Sequence, residues 1–176
     1  LSLRPGVRTF IVADYDAPIA IPSVLTKFKL TKHMDLRLSY AYGFRSPTLQ
    51  ELYFSFHNDN HDIDGNPDLK AEYSHNITGS VAYRVLHSEK IHLTTTLSGF
   101  YNDFRDKISL AQNVDIPNYN TYYNIDRYKT VGGSLENSLS WGGLRANLNV
   151  SLIGRYNRYA TGDKSMPRFR YSPEVS

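Results

Sequence analysis

The residues best equipped for chemistry lie together in one polar stretch, Phe54-Ser55-Phe56-His57-Asn58-Asp59-Asn60-His61-Asp62-Ile63-Asp64. Two imidazoles, His57 and His61, stand beside the phenyl rings of Phe54 and Phe56 and among three carboxylates. A neutral imidazole nitrogen is a good axial ligand for haem iron, and aromatic rings can cover a flat macrocycle. The same stretch carries Asn60, Asp62, Asp64 and Gly65 at the first, third, fifth and sixth places of a calcium loop. The twelfth place, which should hold a bidentate Glu, is Ala71, with Glu72 one residue out, and this counts against calcium. Against both ideas stands the ordinary fate of His and Asp in a polar loop, which is plain hydration.

The rest of the chain narrows the function classes. No cysteine is present, and no Gly-rich phosphate loop, G-x-S-x-G or H-E-x-x-H occurs, so an enzyme finds no support. Twenty basic and 17 acidic residues are interspersed and leave a formal charge of +3 without a basic run, which gives nucleic-acid binding little support. Mean hydropathy is −0.46, and no window approaches the ~20 apolar residues a membrane-spanning helix needs. Fourteen Tyr and eight Phe, with many Thr, Ser and Val, suit pleated strands.

The elements that must position the polar stretch are therefore strands, and strict alternation marks them. Leu36, Leu38, Tyr40, Tyr42 and Phe44 share one face, opposed by Arg37, Ser39, Ala41 and Gly43. Ile77, Val81, Tyr83 and Val85 oppose Glu72, Ser74, Asn76, Thr78, Ser80 and Arg84. Ile91, Leu93, Leu97 and Tyr101 repeat the pattern, as do Val131, Leu135, Leu139 and Trp141, and then Leu144, Leu148, Val150, Leu152 and Tyr156. These patterns predict about eight strands, near 1–12, 22–30, 35–44, 71–85, 91–110, 122–141, 144–158 and from 167 to the end. Tight connections near 31–34, 86–90 and 142–143 alternate with long polar ones near 13–21, 45–70, 111–121 and 159–166. That is the organisation of an all-β, antiparallel, up-and-down transmembrane β-barrel, with short turns at one end and long loops at the other. Phe28, Tyr83 and Trp141 fall near the tight turns, and Tyr42, Tyr73, Tyr101 and Tyr156 toward the long loops, as two aromatic belts would. Tyr73 and Tyr83, ten residues apart on one face, would be ~23 Å apart along the membrane normal at ~3.3 Å per residue and ~45° tilt. A soluble β-sandwich also alternates, but its strands are usually ~5–6 residues and several here alternate for longer. The chain starts and ends within strands, so residues 1–176 are expected to be a fragment of one larger barrel domain.

Two stretches make the expectation specific. Phe44-Arg45-Ser46-Pro47 followed by Asn66-Pro67-Asp68-Leu69 resembles the paired F-R-A-P and N-P-N-L boxes of TonB-dependent outer-membrane receptors, with Ser46 and Asp68 as departures. Leu97 to Ile108, and Tyr123-Asn124-Ile125-Asp126 running to Glu136, are similar to the same family. The resemblance implies a 22-stranded barrel closed by an N-terminal plug in the outer membrane of a Gram-negative bacterium, importing iron chelates, haem, cobalamin or glycans with energy passed through TonB. This chain would hold roughly a third of such a barrel, without the plug or the TonB-contacting segment, in contact with outer-membrane lipid and the rest of the receptor. In haem receptors of that family a histidine lies between the two boxes, which makes His57 and His61 the expected haem ligands and a small iron-containing molecule the expected cargo. A passive barrel, a cobalamin or glycan receptor and a soluble β-rich module are the alternatives.

Overall fold

The computed structural model describes residues 1–9, 18–58, 62–88, 90–112, 116, 118–158 and 170–175. Ten strands and one short helix are assigned: β1 (Ser2–Arg8), β2 (Ile21–Lys29), β3 (Met34–Arg45), α1 (Leu49–Tyr53), β4 (Ser55–His57), β5 (Asp62–Asp64), β6 (Glu72–His87), β7 (Ile91–Gln112), β8 (Tyr119–Trp141), β9 (Leu144–Arg158) and β10 (Arg170–Val175). The eight long strands are those the alternation predicts, and they pair antiparallel in chain order from β1 through β2, β3, β6, β7, β8 and β9 to β10. The sheet remains open, with β1 and β10 at its margins.

Register carries the alternation across the whole sheet. Leu36 stands opposite Phe28 and Val81, Val81 opposite Leu97, Leu97 opposite Leu135, and Leu135 opposite Val150. One face is thus a continuous apolar surface. Its side chains remain uncovered, Leu38, Ile77, Leu97, Leu135, Leu148 and Leu152 among them. In water such a surface would be a large exposed patch; against lipid it is the expected finish of a barrel wall. The opposite, inner face carries Arg37, Ser39, Thr78, Ser80, Ser98 and Ser134, with Asn102 donating to the Thr130 hydroxyl across the β7–β8 pair at 2.9 Å. Gly132 lies on this face beneath the Phe100 ring, where a Cβ would come within 2.7 Å of the ring and 2.8 Å of the Leu152 carbonyl oxygen. Near the tight turns, Asp35 lies 3.6 Å from both Lys27 and Arg84.

Two features depart from the simple pattern. A bulge between Arg84 and Leu86 sets Leu86, not Val85, opposite Leu93, so the apolar row continues one residue later than alternation predicts. The long connection between β3 and β6 is also not plain loop, since it folds into α1 and the β4–β5 hairpin, and β5 runs parallel to the start of β8 from Asp62 opposite Tyr119 to Asp64 opposite Thr121. β7 has 22 residues and β8 has 23, where ~9–11 tilted residues cross a bilayer. Their long-connection halves therefore project past the apolar band and support that hairpin.

Candidate functional site

The two sequence boxes prove to be the clasps of the connection that bears the histidines. Arg45, the last residue of β3, donates from Nη1 to both Glu51 carboxylate oxygens, at 3.1 and 2.8 Å, and from Nη2 to Glu72 Oε2 at 3.1 Å. Glu72 Oε2 also accepts from the Ile108 backbone N–H at 3.2 Å. One guanidinium thus ties β3 to α1 and β6, and through Glu72 to β7. Pro47 is buried just before the helix, whose start is fixed by a reciprocal cap in which the Thr48 hydroxyl accepts from the Glu51 N–H and the Glu51 carboxylate accepts from the Thr48 N–H. Burial acts to raise the Glu51 pKa, but the bonds from Arg45 and from the Thr48 backbone and hydroxyl outweigh it and hold that carboxyl below its usual range.

The second box closes the other end. Asn66 donates from Nδ2 to the Tyr122 carbonyl at 2.9 Å and from its backbone to the Glu51 carbonyl at 2.8 Å, while its Oδ1 accepts from the Asp68 N–H. Leu69 is buried with Leu52 of α1 and Ile108 of β7, and Tyr122 packs against them. Gly65 passes so close to α1 that a Cβ would stand 2.6 Å from the Leu52 carbonyl carbon and the Tyr53 nitrogen, so no side chain fits there. Asn124 completes the clasp: its side chain accepts from the Lys70 N–H and donates to the carbonyls of Lys70 and of Asp106, the latter at φ 52°. Phe44, Arg45, Pro47, Asn66, Pro67 and Leu69 thus lie in and around the clasp that supports the β4–β5 hairpin.

On that hairpin His57 is half exposed, with Nδ1 3.1 Å from Asp62 Oδ1 and Nε2 2.9 Å from the Ser55 hydroxyl and 3.3 Å from Asp64 Oδ1. Asp64 also accepts from the Tyr119 hydroxyl; burial first, then that bond and the charges of Asp64 and Asp62, raise the Tyr119 pKa. Phe54 and Phe56 stack with ring centroids 6.4 Å apart and planes 10° from parallel. Alternation puts Ser55 and His57 on one side of β4 and Phe56, with Phe54, on the other, so the rings and the imidazole do not face a common space. Asp62 and Asp64 turn toward His57, and no group of three or more His, Asp or Glu able to hold a metal occurs among the described residues. His61 and Asn60, the other expected haem ligand and the first expected calcium ligand, lie outside the described residues.

With this geometry established, comparison with known proteins assigns the family. Residues 1–174 match the model described as TonB dependent receptor-like, beta-barrel. The chain belongs to that family, so the soluble-module and passive-barrel alternatives fall. It is 30% identical over 141 residues to the Hemoglobin and hemoglobin-haptoglobin-binding protein C of Haemophilus influenzae, covering 75% of this chain and 13% of that protein. It is also 36% identical over 98 residues to the Hemoglobin-haptoglobin utilization protein B of Neisseria meningitidis serogroup C, covering 54% of this chain and 12% of that protein. Among solved structures, a ferric enterobactin receptor mutant from Pseudomonas aeruginosa in complex with enterobactin aligns at 16% identity and a TM-score of 0.46, over 89% of this chain and 32% of that one. The chain spans about an eighth of the length of the first of these relatives.

Proposed function

We propose that this chain is the wall and one ligand-side loop of a TonB-dependent outer-membrane receptor that takes up haem or another iron chelate. The observation that carries the proposal is the β4–β5 hairpin, which the two boxes clamp at the long-connection end of the sheet with an imidazole at its surface. Relatives named as haemoglobin-binding favour haem over the other cargoes. In His57 a carboxylate at Nδ1 is the outer partner that orients a metal-ligating imidazole. Nε2 becomes free for iron when the Ser55 hydroxyl turns away and Asp64 gives way. A macrocycle bound at Nε2 lies on the Asp62 and Asp64 side of the hairpin, away from Phe54 and Phe56. His61, in the same connection, is the second expected ligand.

Titrating haem into the full receptor tests this. Replacing the ligating histidine with Ala should shift the haem absorption band and weaken binding, while Asn58→Ala should do neither. If the His57→Ala, His61→Ala double variant keeps the spectrum and affinity of the parent, ligation by this hairpin is wrong.

A further inference from the structure

Among the described residues, the apolar face carries formal charge in only one place. From the tight turns up to Asp106, the described outward positions hold Asp103, Arg105, Arg127, Lys129 and Arg158 and no other Asp, Glu, Lys or Arg. All five sit in two adjacent rows, Asp103 opposite Lys129, and Arg105 opposite Arg127, which in turn stands opposite Arg158. Directly below them lie Tyr101 and Val131, paired with each other, and then the continuous apolar surface.

Their height follows from register. Ile91 and Trp141, paired at the tight turn, mark the lower edge of that surface. Tyr101 is then ~23 Å higher along the normal, the Asp103–Lys129 row ~28 Å and the Arg105–Arg127 row ~33 Å, at ~3.3 Å per residue and ~45° tilt. An apolar band of ~25 Å ends between Tyr101 and Asp103, so the charged rows lie at headgroup depth. Asp103 is already satisfied, accepting from Arg127 Nε and Nη2 at 3.1 and 2.7 Å. Lys129 Nζ lies 3.8 Å from that carboxylate and about equally near the Tyr101 and Tyr156 rings, at 5.8 and 5.9 Å from their centroids, so the aromatic belt holds the ammonium at the interface. Arg105 is exposed, and among the described residues no carboxylate lies within ion-pair distance of it. Four cationic positions against one anionic leave a net excess of three positive charges at headgroup height.

We propose that Arg105, Arg127 and Lys129 form a binding site for the phosphate groups of a lipid headgroup in the surrounding leaflet, with Tyr101 and Tyr156 against the start of its acyl chains. Guanidinium and ammonium groups match phosphate oxygens in charge and in donor number. A residue that faces lipid at this height meets the headgroup before any soluble anion. The inference rests on the membrane reading of the apolar face but not on the haem reading.

The full receptor, purified in a non-ionic detergent, would be mixed with bisphosphorylated lipid A or with its dephosphorylated counterpart, and retained lipid counted by native mass spectrometry. The parent should retain the phosphorylated form selectively. The Arg105→Gln, Lys129→Gln double variant should lose about thirty-fold in apparent affinity, at roughly five-fold per cation, with an unchanged melting temperature. Asp103→Asn, which removes the one anion, should strengthen retention, a change of sign that a damaged fold would not give. Equal retention of the two lipids by the parent, no effect of the double variant, or displacement of the lipid by millimolar inorganic phosphate would each overturn the proposal.

Discussion

Replacing Arg45 with Met should loosen the clasped connection without opening the sheet. In the parent, one guanidinium makes two bonds to Glu51 and one to Glu72, whose side chains are only 16% and 15% exposed. Its removal leaves two largely covered carboxylates facing each other across α1 and β6. A fully buried ion pair broken from one side costs ~3–5 kcal/mol. Arg45 itself is 41% exposed, so water recovers part of that. A loss of ~2 kcal/mol is therefore expected for the local opening of residues 46–71, or about thirty-fold in the opening equilibrium. Amide hydrogen exchange on the full receptor would read it as a drop in protection in α1 and at Leu69, with no change at Leu97 or Leu135. The pH dependence has a definite sign. Because Glu51 is held below its usual range in the fold, its contribution is fully present above its unfolded pKa and is lost as pH falls through the lower folded value. Protection in α1 should therefore fall on acidification below that unfolded value in the parent and much less in Arg45→Met. Undiminished protection of residues 46–58 in the variant would refute the clasp.

Two further outcomes follow from the same coordinates. Gly132→Ala should cost about 1–3 kcal/mol by forcing Phe100 off its seat against a backbone carbonyl that cannot retreat, read as a lower melting temperature of the full receptor, and parental stability would contradict this. Single cysteines at Asn58 and Ser88, probed on intact cells with an impermeant thiol reagent, should label at Asn58 alone on the proposed orientation with the tight turns at the periplasmic end; labelling only at Ser88 would reverse the orientation.

The strands were legible because a wall with lipid on one side and a polar interior on the other imposes period-two alternation, which residues such as Leu36 to Phe44 display without knowledge of any partner. Val85 misleads because a bulge shifts the register without leaving a compositional mark. Thr48 and Glu51 carry a capping-box spacing that reveals α1, although its five residues lie inside a segment that otherwise reads as loop. Period two also separates His57 from Phe56 once Ser55–His57 is recognised as a strand. The Arg45 to Glu72 bond and the support of Leu69 by Ile108 were not legible, since both depend on how β3, β6 and β7 align. Asp103, Arg105, Arg127 and Lys129 fall inside the predicted strands 91–110 and 122–141, but the apolar pattern stops at Tyr101 and Val131, and only the pairing of β7 with β8 brings the four into adjacent outward rows.

Cells that express the full receptor and are supplied with iron-labelled haem as the only iron source offer the most direct test of the central claim. The account predicts accumulation of label that requires both the receptor and TonB and is strongly reduced in the His57→Ala, His61→Ala double variant. Accumulation that persists without TonB, or no receptor-dependent uptake of haem or any ferric chelate, would contradict it.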